Sequence, residues 1–143
     1  MSEKLRDVKG EVWRRFENCE SIFLATVETE QPRVRPVSLV NFDRRLWVLT
    51  GTYSAKTSQI SKNPKIEFCL PFKEGEHNGY IRASGSARIV KDKDTKIRVA
   101  RHCDFFDQHW NSPDDPNFTL LELKLNEIEY LGPNEEIARK FKL

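Results

Sequence analysis

The residues best suited to chemistry lie in one short stretch. Trp47-Val48-Leu49-Thr50 is an apolar β-type run, and it passes through Gly51-Thr52-Tyr53 into the helix-prone segment Ser54-Ala55-Lys56-Thr57-Ser58. A helix start offers backbone N–H groups that lack intrahelical partners and the positive end of the helix dipole. Hydroxyls and an ammonium added there make a place to hold a phosphate. Arg33 and Arg35, on the preceding β-type segment, either join that site or are solvated arginines of an edge strand, and the residues alone leave both open. Elsewhere the chemistry is sparse. Cys19, Cys69 and Cys103 stand far apart with no C-x-x-C pair, and His77, His102 and His109 form no ligand pattern, so reduced thiols and no metal set are expected. No conspicuous acid, base or nucleophile stands out.

The 143 residues correspond to one domain, long enough to bury a core without disulfide or metal staples. With 24 Lys plus Arg against 22 Asp plus Glu, the net charge is only +2. That balance gives no electrostatic footprint for nucleic acid, despite Arg33, Arg35, Arg82 and Arg88, and no pull toward an anionic membrane. Any anion site has to be local. Met1 to Arg15 interleaves charges of both signs, so neither a signal peptide nor a membrane span is expected, and the expected compartment is the cytoplasm.

Leu5, Val8, Val12, Trp13 and Phe16 recur at spacings near three and four and predict a helix over 3–18. Ser21 to Val27 is a continuous β-prone run, as for a strand buried on both faces. Its hairpin partner is Arg33 to Val40, whose apolar phase is even at Val34 but odd at Val37 and Leu39, which predicts a bulge or an edge at Pro36. Leu46 to Thr50 follows, and then a helix that must end by Asn63, before Pro64. Ile66, Phe68 and Leu70 alternate in a strand closed by Pro71. Tyr80 to Ile89 alternates most clearly, with the small inner residues Ala83, Gly85 and Ala87 that suit a tightly curved barrel. Asp92 or Asp94 caps a helix running to about Phe106, 107–117 is an aromatic and proline-containing loop, and Phe118 to Tyr130 resumes strand alternation. The fold expected is mainly β: a single domain with a six-stranded antiparallel barrel over 20–131 and peripheral helices at 3–18 and 133–142.

Pro32-x-Val34-x-Pro36-Val37, Leu46 to Thr50, Ser54-Ala55-Lys56-Thr57, Asn63-Pro64 and Tyr80-x-Arg82-x-Ser84-Gly85, in that order, resemble the pyridoxamine 5'-phosphate oxidase-like FMN-binding split barrels over roughly residues 21–130. The resemblance is strongest to the short, general-stress-protein-like members, helped by Asp114-Asp115-Pro116-Asn117-Phe118. It implies a homodimer with FMN at the subunit interface and oxidoreductase activity on a small molecule. By position, Arg35 (or Arg33), Ser54, Lys56 and Thr57 would hold the phosphate, Thr50 and the backbone around Val37 would face the ring, and Asn78 and Trp110 would come from the second subunit. The chemistry agrees, because cations and hydroxyls compensate a phosphate monoester while the cofactor itself carries hydride chemistry. Similar barrels hold a deazaflavin or a haem, so a binding or sensing role without turnover is the alternative. Ala55 stands where the vitamin-forming oxidases have a second basic residue, and the chain ends soon after Tyr130 without the arginine-bearing C-terminal segment those enzymes use on their substrate. A substrate other than pyridoxamine phosphate is therefore expected.

Overall fold

The computed structural model describes residues 3–17 and 20–143; the last residue of the expected 3–18 helix and the Cys19 thiol lie outside them. The elements are α1 (Glu3–Arg15), β1 (Glu20–Glu28), β2 (Gln31–Phe42), β3 (Arg45–Gly51), α2 (Ala55–Lys62), β4 (Lys65–Glu74), β5 (His77–Ile89), α3 (Lys93–His102), a 3-10 turn (Phe106–Gln108), β6 (Phe118–Leu131) and β7 (Arg139–Lys142). The strands lie side by side in the order β3-β2-β1-β4-β5-β6-β7, and β3 pairs back on β6. This closes an antiparallel ring of β1 to β6 and leaves β7 as an extra strand on β6.

The ring is split. β1 meets β4 only from Phe23–Cys69 to Ala25–Glu67, and β2 meets β3 only from Val40–Trp47 to Phe42–Arg45. Residues 31–39 of β2 therefore have β1 on one edge and, among the described residues, no strand on the other. Inside, Leu24, Leu39, Val48, Phe68, Ile81, Leu121 and Ile128 form the main core, and α1 caps it with Val12 and Phe16. Phe16 meets Phe68 edge to face at 5.7 Å. Tyr130 Oη donates to Glu11 at 2.6 Å and Arg15 donates to Glu74 at 2.9 Å, fixing α1 to the barrel. A second core lies outside the ring, where Val99, Ala100, Cys103 and Phe106 pack on Val40, Trp47, Phe118 and Leu120. Asp92, not Asp94, caps α3 by accepting from Thr95 N at 3.0 Å, and the helix ends at His102 because Cys103 turns extended.

The slip in apolar phase at Pro36 is not a bulge. Pairing with β1 runs unbroken from Glu20–Leu39 to Glu28–Gln31, and Pro36 sits where β2 has no second neighbour, so its missing N–H leaves no ladder gap there. Arg35, Val37 and Leu39 share one face, while Val34 projects outward and is 68% exposed. Nor is β1 buried on both faces: Ile22, Leu24 and Thr26 point inward and Phe23 is 46% exposed. Pro71 does not close β4, which continues to Glu74 past the end of β1.

The true irregularity lies between β5 and β6. Leu121, Leu123 and Leu125 face inward at odd positions and Ile128 and Tyr130 at even ones, because Asn126 is the extra residue where the register shifts opposite Ser84–Gly85. The expected helix over 133–142 is instead a turn followed by β7. Such a helix would place Ile137 and Phe141 on one face, yet Ile137 is 81% exposed and only Phe141 is buried, opposite Ile128. The free edge of β6 beyond β3 supplies the backbone partners that favour a strand. No described helix is long and apolar enough to cross a membrane.

A Cβ on Gly85 would run into the Lys124 carbonyl and Leu125 Cα, both backbone and unable to yield cheaply. Gly85→Ala is therefore expected to destabilise the fold by about 2 kcal/mol or more, read from the urea midpoint, whereas Gly10→Ala, with open space around it, has no such effect.

Candidate functional site

Arg35 is the first component. It follows Val34 on β2 and lies on the inner face with Val37, so its side chain crosses the open half of the ring instead of entering solvent. Its Nη1 donates to Thr26 Oγ1 at 2.8 Å and to the Leu24 carbonyl at 3.2 Å, and its Nη2 donates to Gln59 Oε1 at 2.8 Å. Thr26 Oγ1 also donates to Gln59 Oε1, at 2.5 Å. These are neutral acceptors. Burial lowers the Arg35 pKa, and no carboxylate pairs with it among the described residues.

Lys56 is the second. It lies in the first turn of α2, and Nζ donates to Thr50 Oγ1 at 2.6 Å and to Ser54 Oγ at 3.4 Å. Burial, and then the nearby Arg35 guanidinium, push its pKa below the ordinary value of 10.5. Ser54 is the residue before α2, but its side chain makes no capping bond and turns toward Thr57 Oγ1 at 3.0 Å. The first N–H groups of α2 are thus left without a side-chain acceptor. Thr57 donates to the Gly51 carbonyl at 2.9 Å, so it holds the turn rather than offering its own proton outward. The arrangement brings together two half-buried cations, a serine hydroxyl and a helix start, with no carboxylate bonded to either cation among the described residues. Chemically this is an anion receptor.

Of the other expected site residues, Arg33 is ion-paired with Glu28 at 3.0 Å on the surface. Val37 pairs with Ile22, on the stretch of β2 whose other edge carries no strand among the described residues. Trp110 packs on Phe106 and Phe118, and its Nε1 donates to the Asn117 carbonyl at 3.1 Å. That carbonyl also accepts Thr52 N at 2.9 Å, so Trp110 buttresses the Gly51–Thr52 turn from within its own chain. Asn78 is exposed on the β4–β5 hairpin opposite Lys73, and Glu74 of that hairpin is tied to α1. Within one chain it is not brought to the cations. Thr26 and Gln59 were missed by sequence reading. For Thr26 the signal was there, a polar residue at an inward position of an apolar strand face; Gln59 is buried as well, but α2 has no apolar face to mark it.

Residues 8–132 match the sequence profile of the family described as pyridoxamine 5'-phosphate oxidase. The chain is 23% identical to general stress protein 26 of Bacillus subtilis over 132 residues, covering 92% of this chain and 93% of that protein. Its fold matches a NimC/NimA family protein from Clostridium acetobutylicum with a TM-score of 0.78 at 23% identity, covering 94% of this chain and 91% of that one. It also matches a haem-binding protein from Mycobacterium smegmatis with a TM-score of 0.71 at 12% identity, covering 87% of this chain and 53% of that one.

The depressed Lys56 pKa has a consequence for stability. At low pH the ammonium is charged in both states, and folding disfavours it. Once pH passes the folded pKa on the way to 10.5, the unfolded chain binds a proton that the folded chain has released, so stability rises with pH over that interval. Wild type is expected to gain on Lys56→Met as pH climbs toward 10.5, measured by urea midpoints; parallel curves for the two proteins would mean that Lys56 is well solvated.

Proposed function

This chain belongs to the pyridoxamine 5'-phosphate oxidase family, and from that premise we propose that it binds FMN through Arg35 and Lys56 and acts as a flavin-dependent oxidoreductase on a small molecule in the cytoplasm. The observation that carries the reading is the Arg35–Lys56 pair: two cations drawn partly out of water, one lowering the pKa of the other, with no carboxylate between them. Such an arrangement is unfavourable by itself and becomes favourable when a dianion sits against it. A phosphate monoester fits in charge, and Ser54 Oγ and the free N–H groups at the start of α2 supply further donors.

The remaining residues have supporting parts. Thr26 and Gln59 hold the guanidinium in one orientation. Thr57 and, through Asn117, Trp110 hold the turn from Gly51 to Ser54. Thr50 and the unpaired backbone edge around Val37 lie on the side proposed for the ring. When bound, FMN supplies the hydride or electron transfer, so no acid, base or nucleophile of the chain has to.

The outer face beside the site carries exposed Phe23, Val34 and Pro36. A homodimer would cover it and could bring Asn78 of the second copy to the ring. Ala55 opens the first turn of α2 onto a groove bordered by Val27, Glu28, Ser58 and Lys62. A second cation at that position belongs to the vitamin-forming members, so the proposed substrate is not pyridoxamine phosphate.

The test is the visible spectrum of the purified protein and a titration with FMN followed by flavin fluorescence. A flavin band, or saturable quenching on addition, is expected, and a haem spectrum or no binding overturns the reading. Arg35→Ala and Lys56→Ala should each weaken FMN by about 1–3 kcal/mol, the range for hydrogen bonds to a charged group, and leave riboflavin, which lacks the phosphate, unaffected. Reduction of the bound flavin by NADH or NADPH and its reoxidation by an added acceptor decide between turnover and storage.

A further inference from the structure

The barrel has a second opening at the other end of β3. β3 pairs with β6 from Gly51–Phe118 to Leu46–Leu123, and β7 pairs with β6 from Glu127–Lys142 to Tyr130–Arg139. Between the two, Lys124, Leu125 and Asn126 have no strand on that edge among the described residues, and Leu143 N reaches in, to the Asn126 carbonyl at 2.9 Å. The gap forms a groove of about 500 Å³, within the range of small-molecule sites. Trp13, Leu46, Leu123 and Leu125 give it an apolar floor, and Arg44, Arg45, Arg88 and Lys124 stand at its rim.

The charges at this rim are unbalanced. Glu122 is the one acidic side chain among the lining residues, and it is already claimed twice: Arg45 donates to it at 2.7 and 3.1 Å, and Arg88 Nε at 2.8 Å. Arg44 and Lys124 have no carboxylate partner among the described residues. Asp43, the neighbour of Arg44, is turned to Arg98 at 3.5 Å. Arg44 also holds a costly backbone position. It and Asp43 form the two-residue turn between the paired Phe42 and Arg45, with φ of 58° and 57°, in the left-handed region where asparagine or glycine is the easy choice. A long cationic side chain kept at a strained turn points to use.

We propose that this seam between β3 and β7 is a second binding site, for an organic anion with a carboxylate head and an alkyl or aryl body. The body lies on the Trp13–Leu46–Leu123–Leu125 floor and the head meets Arg44 and Lys124, the two cations with no other claim on them. A polyanion such as nucleic acid fits less well, because it would place its repeating charges over an apolar slot instead of along a row of cations. The inference does not rest on the flavin reading, since the two sites use opposite ends of β3.

The test uses the full chain, with FMN added, and the fluorescent anion anilinonaphthalene sulfonate as probe. Saturable binding is expected, displaced by decanoate and not by the uncharged decanol. Arg44→Gly combined with Lys124→Ser should weaken both anions about tenfold; the glycine relieves the turn, so the fold is kept and thermal unfolding verifies it. The proposal is overturned if the double variant binds the probe as wild type does, if decanol competes as well as decanoate, if FMN alone displaces the probe, or if an oligonucleotide displaces it where decanoate cannot.

Discussion

One long strand is shared between neighbours, and the architecture depends on that sharing. β6 runs for 14 residues, pairs with β5 over most of its length, and lends its first half to β3 and its second to β7. The loan to β3 closes the ring. A ring this narrow leaves little interior room, which accounts for Ala83, Gly85 and Ala87 on the inner face of β5. Closure also sets where the chemistry can be. β2 and β3 share only three residue pairs, so Arg35 and the Thr50–Lys56 turn meet because the two strands diverge around an opening, with α2 laid across it.

That opening holds charge in an unusual balance. A carboxylate is near at hand in Glu28, yet Arg33 takes one of its oxygens at 3.0 Å and Gln59 Nε2 donates to the other at 3.3 Å. Gln59 thus stands between the acid and Arg35, showing its carbonyl to the guanidinium and its amide to Glu28. Arg33, exposed and of little weight for stability, helps keep a self-neutralising pair from forming inside the site. Perturbed cations of this kind gather at functional sites more often than in ordinary cores.

Much of this was legible in the sequence, for particular reasons. Alternation over Tyr80–Ile89 gave a curved inner strand, Pro64 ended α2, and the Gly51–Ser54 break marked the helix start, because each depends on local sterics or period. What depended on partners was harder to read. The phase change at Pro36 could not be assigned from one strand, since whether a proline marks a bulge or a free edge is decided by the neighbour it lacks. The real register shift, at Asn126, shows only once β5 is placed beside β6. Residues 135–142 have helix-compatible composition, but the free edge of β6 offered backbone partners that local propensity does not register. Choosing Arg35 over Arg33 likewise required knowing that Glu28 faces Arg33 across the β1–β2 turn.

The free edge of β2 has a further meaning. An exposed row of backbone donors and acceptors beside apolar Phe23 and Val34 would ordinarily invite the strand of another molecule to add on and continue without limit. Pro32 and Pro36 occupy two positions along that row and bring no N–H, so an incoming strand would meet a ladder with rungs missing. The same prolines that make the strand look irregular in sequence thereby disfavour strand addition along this edge, because a ladder with rungs missing at Pro32 and Pro36 is a poor template for a growing sheet.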